Sequence, residues 1–236
     1  MDFFISTKNR TDKEELMDDF SIGGDLLRDT LDKLENINRW LGGNLMTVKA
    51  LKKVLKNHPK EQELTIADIG CGHGDILRDV AKFGRKNGYK MKLIGMDANP
   101  TAIAYANELS AEFPEISFKT EDIFSEKFKN REFDVVLATL FLHHFKEAQL
   151  VSFLGNTLKQ TKIGIVVNDL HRHKLAYYLF MLLSVFIKNN MIIEDGLTSV
   201  LRGFKRNELA HISKKLKVKP QISWKWAFRF QWILKY

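Results

Sequence analysis

The sequence predicts a doubly wound α/β fold around a mostly parallel, Rossmann-like sheet, and three observations carry that reading. From Leu64 onward, short apolar runs alternate with amphipathic stretches. The runs are apolar at nearly every position, as strands are when helices cover both faces of a sheet. The first of them, LTIADIG, leads directly into a glycine-rich turn and then a helical pattern.

Taken in chain order, Thr11 and Glu14 have the spacing of a capping box and predict a helix start. Leu27, Leu31, Leu34, Ile37 and Leu41 recur at helical spacing until Gly42-Gly43. Val48, Leu51, Val54 and Leu55 form a second apolar stripe that ends before His58-Pro59. Residues 1–60 thus read as a helical N-terminal cap. Strands follow at LTIADIG, MKLIGMD, ISFKT, FDVVLAT and KIGIVVND, with helices to about Lys86 and from Thr101 to Ala111. Near the end Ile222, Trp224, Trp226, Phe228, Phe230 and Trp232 all fall on even positions. That period of two predicts an antiparallel hairpin added to the sheet. The four scattered prolines mark no linker, so residues 61–236 read as one domain with a helical lid at about 171–200.

The chain of 236 residues is 44% apolar and 28% charged, an ordinary globular composition that excludes disordered, collagenous and disulfide-stapled classes. Its single cysteine, Cys71, fits a reducing compartment. The most apolar stretch, Leu175 to Ile187, covers 13 residues and is too short to span a bilayer. The N-terminus lacks the order of a signal peptide. A cytoplasmic protein with no transmembrane segment is the expectation. The net charge of +8 is concentrated after residue 201, where ten Lys/Arg face Glu208 alone. Such an end attracts nucleic acid or anionic lipid, or simply solvates a face.

The richest chemistry lies in Asp68-Ile-Gly70-Cys71-Gly72-His73-Gly74-Asp75, where a strand turns into a helix. Glycines there permit a tight turn and close approach of backbone to ligand, while the helix start offers free N–H groups. A dinucleotide loop would carry a third glycine where Asp75 stands, and an acid beside a pyrophosphate is repulsive. From about Thr65 to Asp169 the chain resembles the class I S-adenosylmethionine-dependent methyltransferases, whose first motif reads D-x-G-x-G-x-G. The resemblance implies that Gly70, Cys71, Gly72 and Gly74 pass under the methionine part of the cofactor and that Asp68 helps to hold its amino group. It also implies that Asp97, followed by Ala98, accepts the ribose hydroxyls, and that Asp122 and Ile123 meet the adenine. Ala138 and Thr139 would face the cofactor from the fourth strand. S-adenosyl-L-methionine is therefore the expected cofactor.

After FDVVLAT, the stretch Leu142-His143-His144 resembles that of the ubiquinone/menaquinone-biosynthesis type of small-molecule methyltransferase. His143, His144 and His171, at the carboxyl ends of two strands, are candidates to touch substrate or take its proton. No acid follows the fourth strand, and Asn168-Asp169 reverses the pair that holds magnesium in catechol-type relatives, so no metal site is expected. Asp169 alternatively pairs with Arg172. The Leu175–Ile187 helix is apolar nearly all round and reads as buried in the protein, in a partner or over a greasy substrate, and Trp40, Tyr177, Tyr178, Phe180, Met181 and Phe186 are candidates to wall an apolar pocket.

Cys71 lies inside the glycine loop and cannot serve pyrimidine C5 methylation, which needs a cysteine beside the substrate. An N-P-P-Y tetrad for base-amino methylation is missing from Ala138-Thr139-Leu140-Phe141, which disfavours nucleic acid as a partner. Methyl transfer to a small apolar or aromatic acceptor, with a hydroxyl oxygen favoured, is the leading reading. A methyltransferase for RNA or protein using the basic C-terminus, and a non-catalytic cofactor-binding module, remain open. Oligomeric state is not encoded legibly.

Overall fold

The structure, a computed structural model, describes residues 5–235; residues 1–4 of the expected cap lie outside them. Seven strands form one sheet: β1 (Leu64–Ile69), β2 (Met91–Asp97), β3 (Ile116–Thr120), β4 (Phe133–Thr139), β5 (Thr161–Leu170), β6 (Gln221–Lys225) and β7 (Arg229–Leu234). Their spatial order is β3-β2-β1-β4-β5-β7-β6. The first five pair in parallel, and β7 runs antiparallel to both β5 and β6. The fold is the doubly wound one that the apolar runs predict, closed by the expected hairpin. Because the chain moves outward from β1 through β2 to β3 and then returns to β4 on the other side of β1, the order reverses there. Such a switch opens a crevice at the carboxyl ends of the strands.

The helices are α1 (Gly24–Trp40), α2 (Gly43–Val54), α3 (Asp75–Asn87), α4 (Pro100–Leu109), α5 (Glu126–Lys129), α6 (Glu147–Gln160), α7 (Lys174–Ser184), α8 (Asn190–Arg202) and α9 (Arg206–Lys215). One core, between the sheet and α6 and α9, gathers Phe128, Phe133, Phe153 and Trp232. A second, under α2 and α3, gathers Leu51, Leu55, Leu77 and Val80 against β1 and β4, and a small third one joins Leu27, Leu31 and Ala102. The start of α4 is written locally: the Asn99 side chain accepts from the N–H groups of Thr101 and Ala102, with Pro100 at the first helical position.

Three local expectations are corrected. Thr11 and Glu14 start no helix: the Thr11 hydroxyl accepts from Lys13 N, and α1 begins only at Gly24. Tertiary bonds win there, because Leu16 N and Met17 N donate to the Asp195 carboxylate on α8 and fix a short 3-10 turn at Leu16–Asp18 instead. Of the settings expected for the Leu175–Ile187 segment, burial within the chain is the one overturned, with Leu182 64%, Val185 76% and Phe186 80% exposed. One side of α7 packs on α8, where the Phe180 ring lies so close to Gly196 that a Cβ there would be 2.2 Å from it. Finally, the even-numbered aromatics of the hairpin do not share one fate. Trp232 is fully buried in β7, which has a strand on either side, whereas Trp224 on the edge strand β6 and Trp226 in the turn after it are exposed. Among the described residues no helix is long and apolar enough to cross a membrane.

Candidate functional site

A cavity of about 960 Å³ opens at the carboxyl ends of β1, β2 and β4. Its floor is the loop that joins β1 to α3. Gly70 has φ +69, and a Cβ on it would lie 2.1 Å from the Phe141 ring, so any other residue is strained and must displace the ring or the loop. Gly74 serves packing rather than ligand approach: it caps α3 at φ +80, and a Cβ would meet the Phe118 ring at 2.5 Å. Gly74 is not among the residues that line the cavity, whereas Gly70, Cys71 and Gly72 are.

Asp68 lies under this loop at 1% exposure, and its Oδ1 has no hydrogen-bond partner among the described residues. Burial, reinforced by Asp75 and Asp97, pushes its carboxyl well above the usual range, so it calls for a donor, best a cationic one. Asp97 ties the floor together: Oδ2 accepts from Gly72 N at 2.9 Å and Oδ1 from Asn99 N at 2.9 Å. Burial raises its pKa against those backbone bonds. Asp122 is exposed at the rim, its Oδ1 accepting from Phe124 N, and Ile123 lies beside it in the cavity wall with Ala98 and Thr139. An orphaned acid, a glycine-rich loop and a two-oxygen acceptor on one cavity floor fit a nucleoside that carries an amino-acid chain. Ala138 departs from its expected place: it is fully buried in the sheet core and does not line the cavity.

On the far side, the strained turn after β4 begins with Leu140 at φ +52, held by its N–H to Asn168 O at 2.8 Å. It presents His143 and His144 to the cavity. His143 is 2% exposed, with Nδ1 2.7 Å from Asp169 Oδ1. Asp169 Oδ2 also accepts from His143 N, and Oδ1 from Leu170 N. Although burial opposes it, the charge and hydrogen bond of His143 hold the Asp169 pKa below the usual value. A carboxylate on Nδ1 keeps the proton there and leaves Nε2 as the basic nitrogen. That Nε2 is 3.6 Å from Glu15 Oε1. His144 Nδ1 is 2.6 Å from Asp18 Oδ1, and Arg202 Nη1 binds Asp18 Oδ2 at 2.6 Å. Arg10 and Arg202 donate to the carbonyls of His143, His144 and Phe145 and lock the turn.

The structure separates His171 from this pair. It lines a different, open hollow with His173 and Lys205, while its Nδ1 accepts from Trp224 Nε1. Burial and nearby cations lower its pKa to about 4. Asp169 makes no pair with Arg172, which binds Glu208 through both Nη atoms. Asn168 Nδ2 donates to Gly43 O and Thr47 Oγ1, anchoring α2. Of the six side chains expected to wall the pocket, Phe180 alone lines it, and Trp40 and Phe186 are exposed. The apolar wall comes instead from Leu27, Leu31, Leu34, Ile37 and Leu41 of the first stripe.

Glu15, Asp18, Ser199 and Arg229 also line the cavity and carried no sequence signal. Glu15, His143 and His144 place one donor atom each within 4.8 Å of one another, a grouping with the donor types of a metal site. Burial raises Glu15 to about 7, against His144, Ser199 and Arg202. A carboxyl with a folded pKa above its unfolded one binds more protons when folded. Its stabilisation is therefore present at low pH and lost as pH rises from about 4.5 to 7. Glu15→Gln is expected to flatten the fall in melting temperature between pH 5 and 8; an unaltered slope would contradict the assignment.

Sheet order, glycine loop and acid-bearing strand ends together define a class I S-adenosylmethionine-dependent methyltransferase fold. Residues 66–164 match the methyltransferase domain family. The chain is 26% identical over 141 residues to the ubiquinone biosynthesis O-methyltransferase of Rickettsia bellii, covering 58% of this chain and 55% of that one. It is 30% identical over 145 residues to the demethylmenaquinone methyltransferase of Chlorobaculum tepidum, covering 61% and 53%. The chain thus spans just over half the length of these relatives. The plantazolicin methyltransferase BpumL in complex with S-adenosylhomocysteine superposes with a TM-score of 0.67 at 16% identity, covering 90% of this chain and 91% of that one. Magnesium protoporphyrin IX methyltransferase from Synechocystis with bound S-adenosylmethionine gives 0.56 at 12% identity, covering 86% and 84%. Residues 66–164 thus match a methyltransferase domain, on a fold shared with these methyltransferase structures.

Proposed function

We propose that the protein transfers a methyl group from S-adenosylmethionine to a small apolar or aromatic acceptor, with a hydroxyl oxygen favoured. The observation that carries this is one cavity holding the glycine-and-acid floor, the His143–Asp169 pair and an apolar wall. Asp68 would hold the amino group of the cofactor, Asp97 its ribose, and Asp122 with Ile123 its adenine. The cofactor supplies an electrophilic methyl on its sulfonium. His143 Nε2 takes the acceptor proton as the oxygen attacks, and Asp169 stabilises the imidazolium that results. Leu27, Leu31 and Phe180 exclude water and align the acceptor with the methyl. In this reading the described part of residues 1–60 forms the cap, and residues about 171–200 the lid.

The test is transfer of labelled methyl to a panel of apolar phenols and alcohols, with RNA and protein acceptors as controls, before and after chelation. Methylation of a phenol that survives chelation is the expected result. Activity lost to a chelator and restored by a divalent ion would turn Glu15, His143 and His144 into ligands. Methylation confined to RNA or protein would overturn the small-molecule reading.

A further inference from the structure

Arg229 opens β7 beside the end of β5, where it pairs with Leu170. Arg229 is among the residues that line the cavity, yet only 3% of it is exposed. Neither Nε nor Nη1 has a hydrogen-bond partner among the described residues. Asp169, the acid that acts on it, spends its oxygens on His143 and Leu170 N. Around Nη1 the chain leaves little room: a Cβ on Gly43 would lie 2.9 Å from it and 1.8 Å from Asn38 Oδ1, itself without a partner. An uncompensated buried charge is costly, and a fold keeps one where something else neutralises it. Burial lowers this guanidinium to about 10, so it is cationic at neutral pH.

The charges around it point to the sign of that something. Glu15, Asp18, Glu35, Asp68, Asp75, Asp97, Glu121 and Asp122 all line the cavity, whereas Arg229 is the one Lys or Arg among the described residues that do. The acids suit the amino group and sulfonium of a cofactor and repel a carboxylate. We infer that Arg229 holds a carboxylate that one of the two reactants brings into the cavity, either the methionine carboxylate of the cofactor or an acid group on an apolar acceptor. A guanidinium offers a carboxylate a short, charge-assisted hydrogen bond and a neutralising charge. This inference rests on the cofactor-and-acceptor reading above.

The test compares wild type with Arg229→Met and Arg229→Lys by calorimetry. S-adenosylhomocysteine is titrated against 5′-methylthioadenosine, which lacks the amino acid end. Decanoate is titrated against decanol in the presence of S-adenosylhomocysteine. Arg229→Met is expected to lose at least tenfold in affinity for the carboxylate-bearing member of one pair and to keep its partner within twofold. The pair affected identifies the source, and Arg229→Lys restores part of the loss. The ligand-free Met variant should melt at or above the wild-type temperature, because a purely structural arginine would lower it and an unpaired charge would not. Should that variant not fold, Arg229→Gln is read the same way. All four affinities within twofold of wild type, or losses equal within both pairs, would overturn the inference. Failure of wild type to bind either sulfur nucleoside would overturn the cofactor reading instead.

Discussion

His143→Ala is expected to lower kcat on the acceptor by about a hundredfold or more while leaving the affinity for S-adenosylhomocysteine within twofold. The magnitude is that of losing a positioned general base. The separation of the two effects follows from geometry, since His143 binds Asp169 on the β5 side of the cavity whereas Asp68 and Asp97 lie on the β1 and β2 side. Removing the imidazole leaves Asp169 buried without its main partner, so His143→Asn, which keeps a donor toward that acid, guards against loss of folding. Asp169→Asn should also slow turnover, because an amide can donate to Nδ1 and drive the proton onto Nε2. Turnover within a few-fold of wild type in His143→Ala and His143→Asn would mean that positioning alone suffices.

Gly70→Ala is expected to weaken S-adenosylhomocysteine binding at least tenfold and to lower the melting temperature. A non-glycine residue at φ +69 carries strain of roughly 1–2 kcal/mol. The larger effect is steric: the new methyl falls 2.1 Å from the Phe141 ring, which lines the same cavity. Either the ring swings or the loop lifts, and both disturb the floor between Asp68 and Asp97. Differential scanning calorimetry and a ligand titration measure the two consequences; affinity within twofold of wild type would show that the loop does not approach the cofactor.

The strands of this fold are legible in sequence because burial on both faces writes their central positions as apolar without alternation, and β1, β2, β4 and β5 have that texture. The glycine loop and Asp97 are legible for a related reason, since a tight turn and a strand end restrict residue types locally. What is hidden depends on contacts across the chain. Glu15 reaches Ser199, and Arg10 reaches His143; nothing near Glu15 or Arg10 in the sequence marks either partner. His171 and His143 follow strand ends alike, but the hairpin aromatics Trp224 and Phe230 claim His171 for another face. The apolar character of α7 misleads because composition records hydrophobicity and not which side finds a partner. Arg229 reads as one more basic residue of a charged tail, although it is among the most buried side chains of the cavity.

Calorimetric titration with S-adenosylhomocysteine, on wild type and Asp97→Ala, tests the central claim most directly. Asp97 contributes two oxygens that already fix Gly72 and Asn99 and have lone pairs left for vicinal hydroxyls. Wild type is expected to bind, and the variant to lose about 1.5–3 kcal/mol, the range for hydrogen bonds to a charged group. No binding to wild type at millimolar ligand, or an unchanged affinity in Asp97→Ala, would contradict the account.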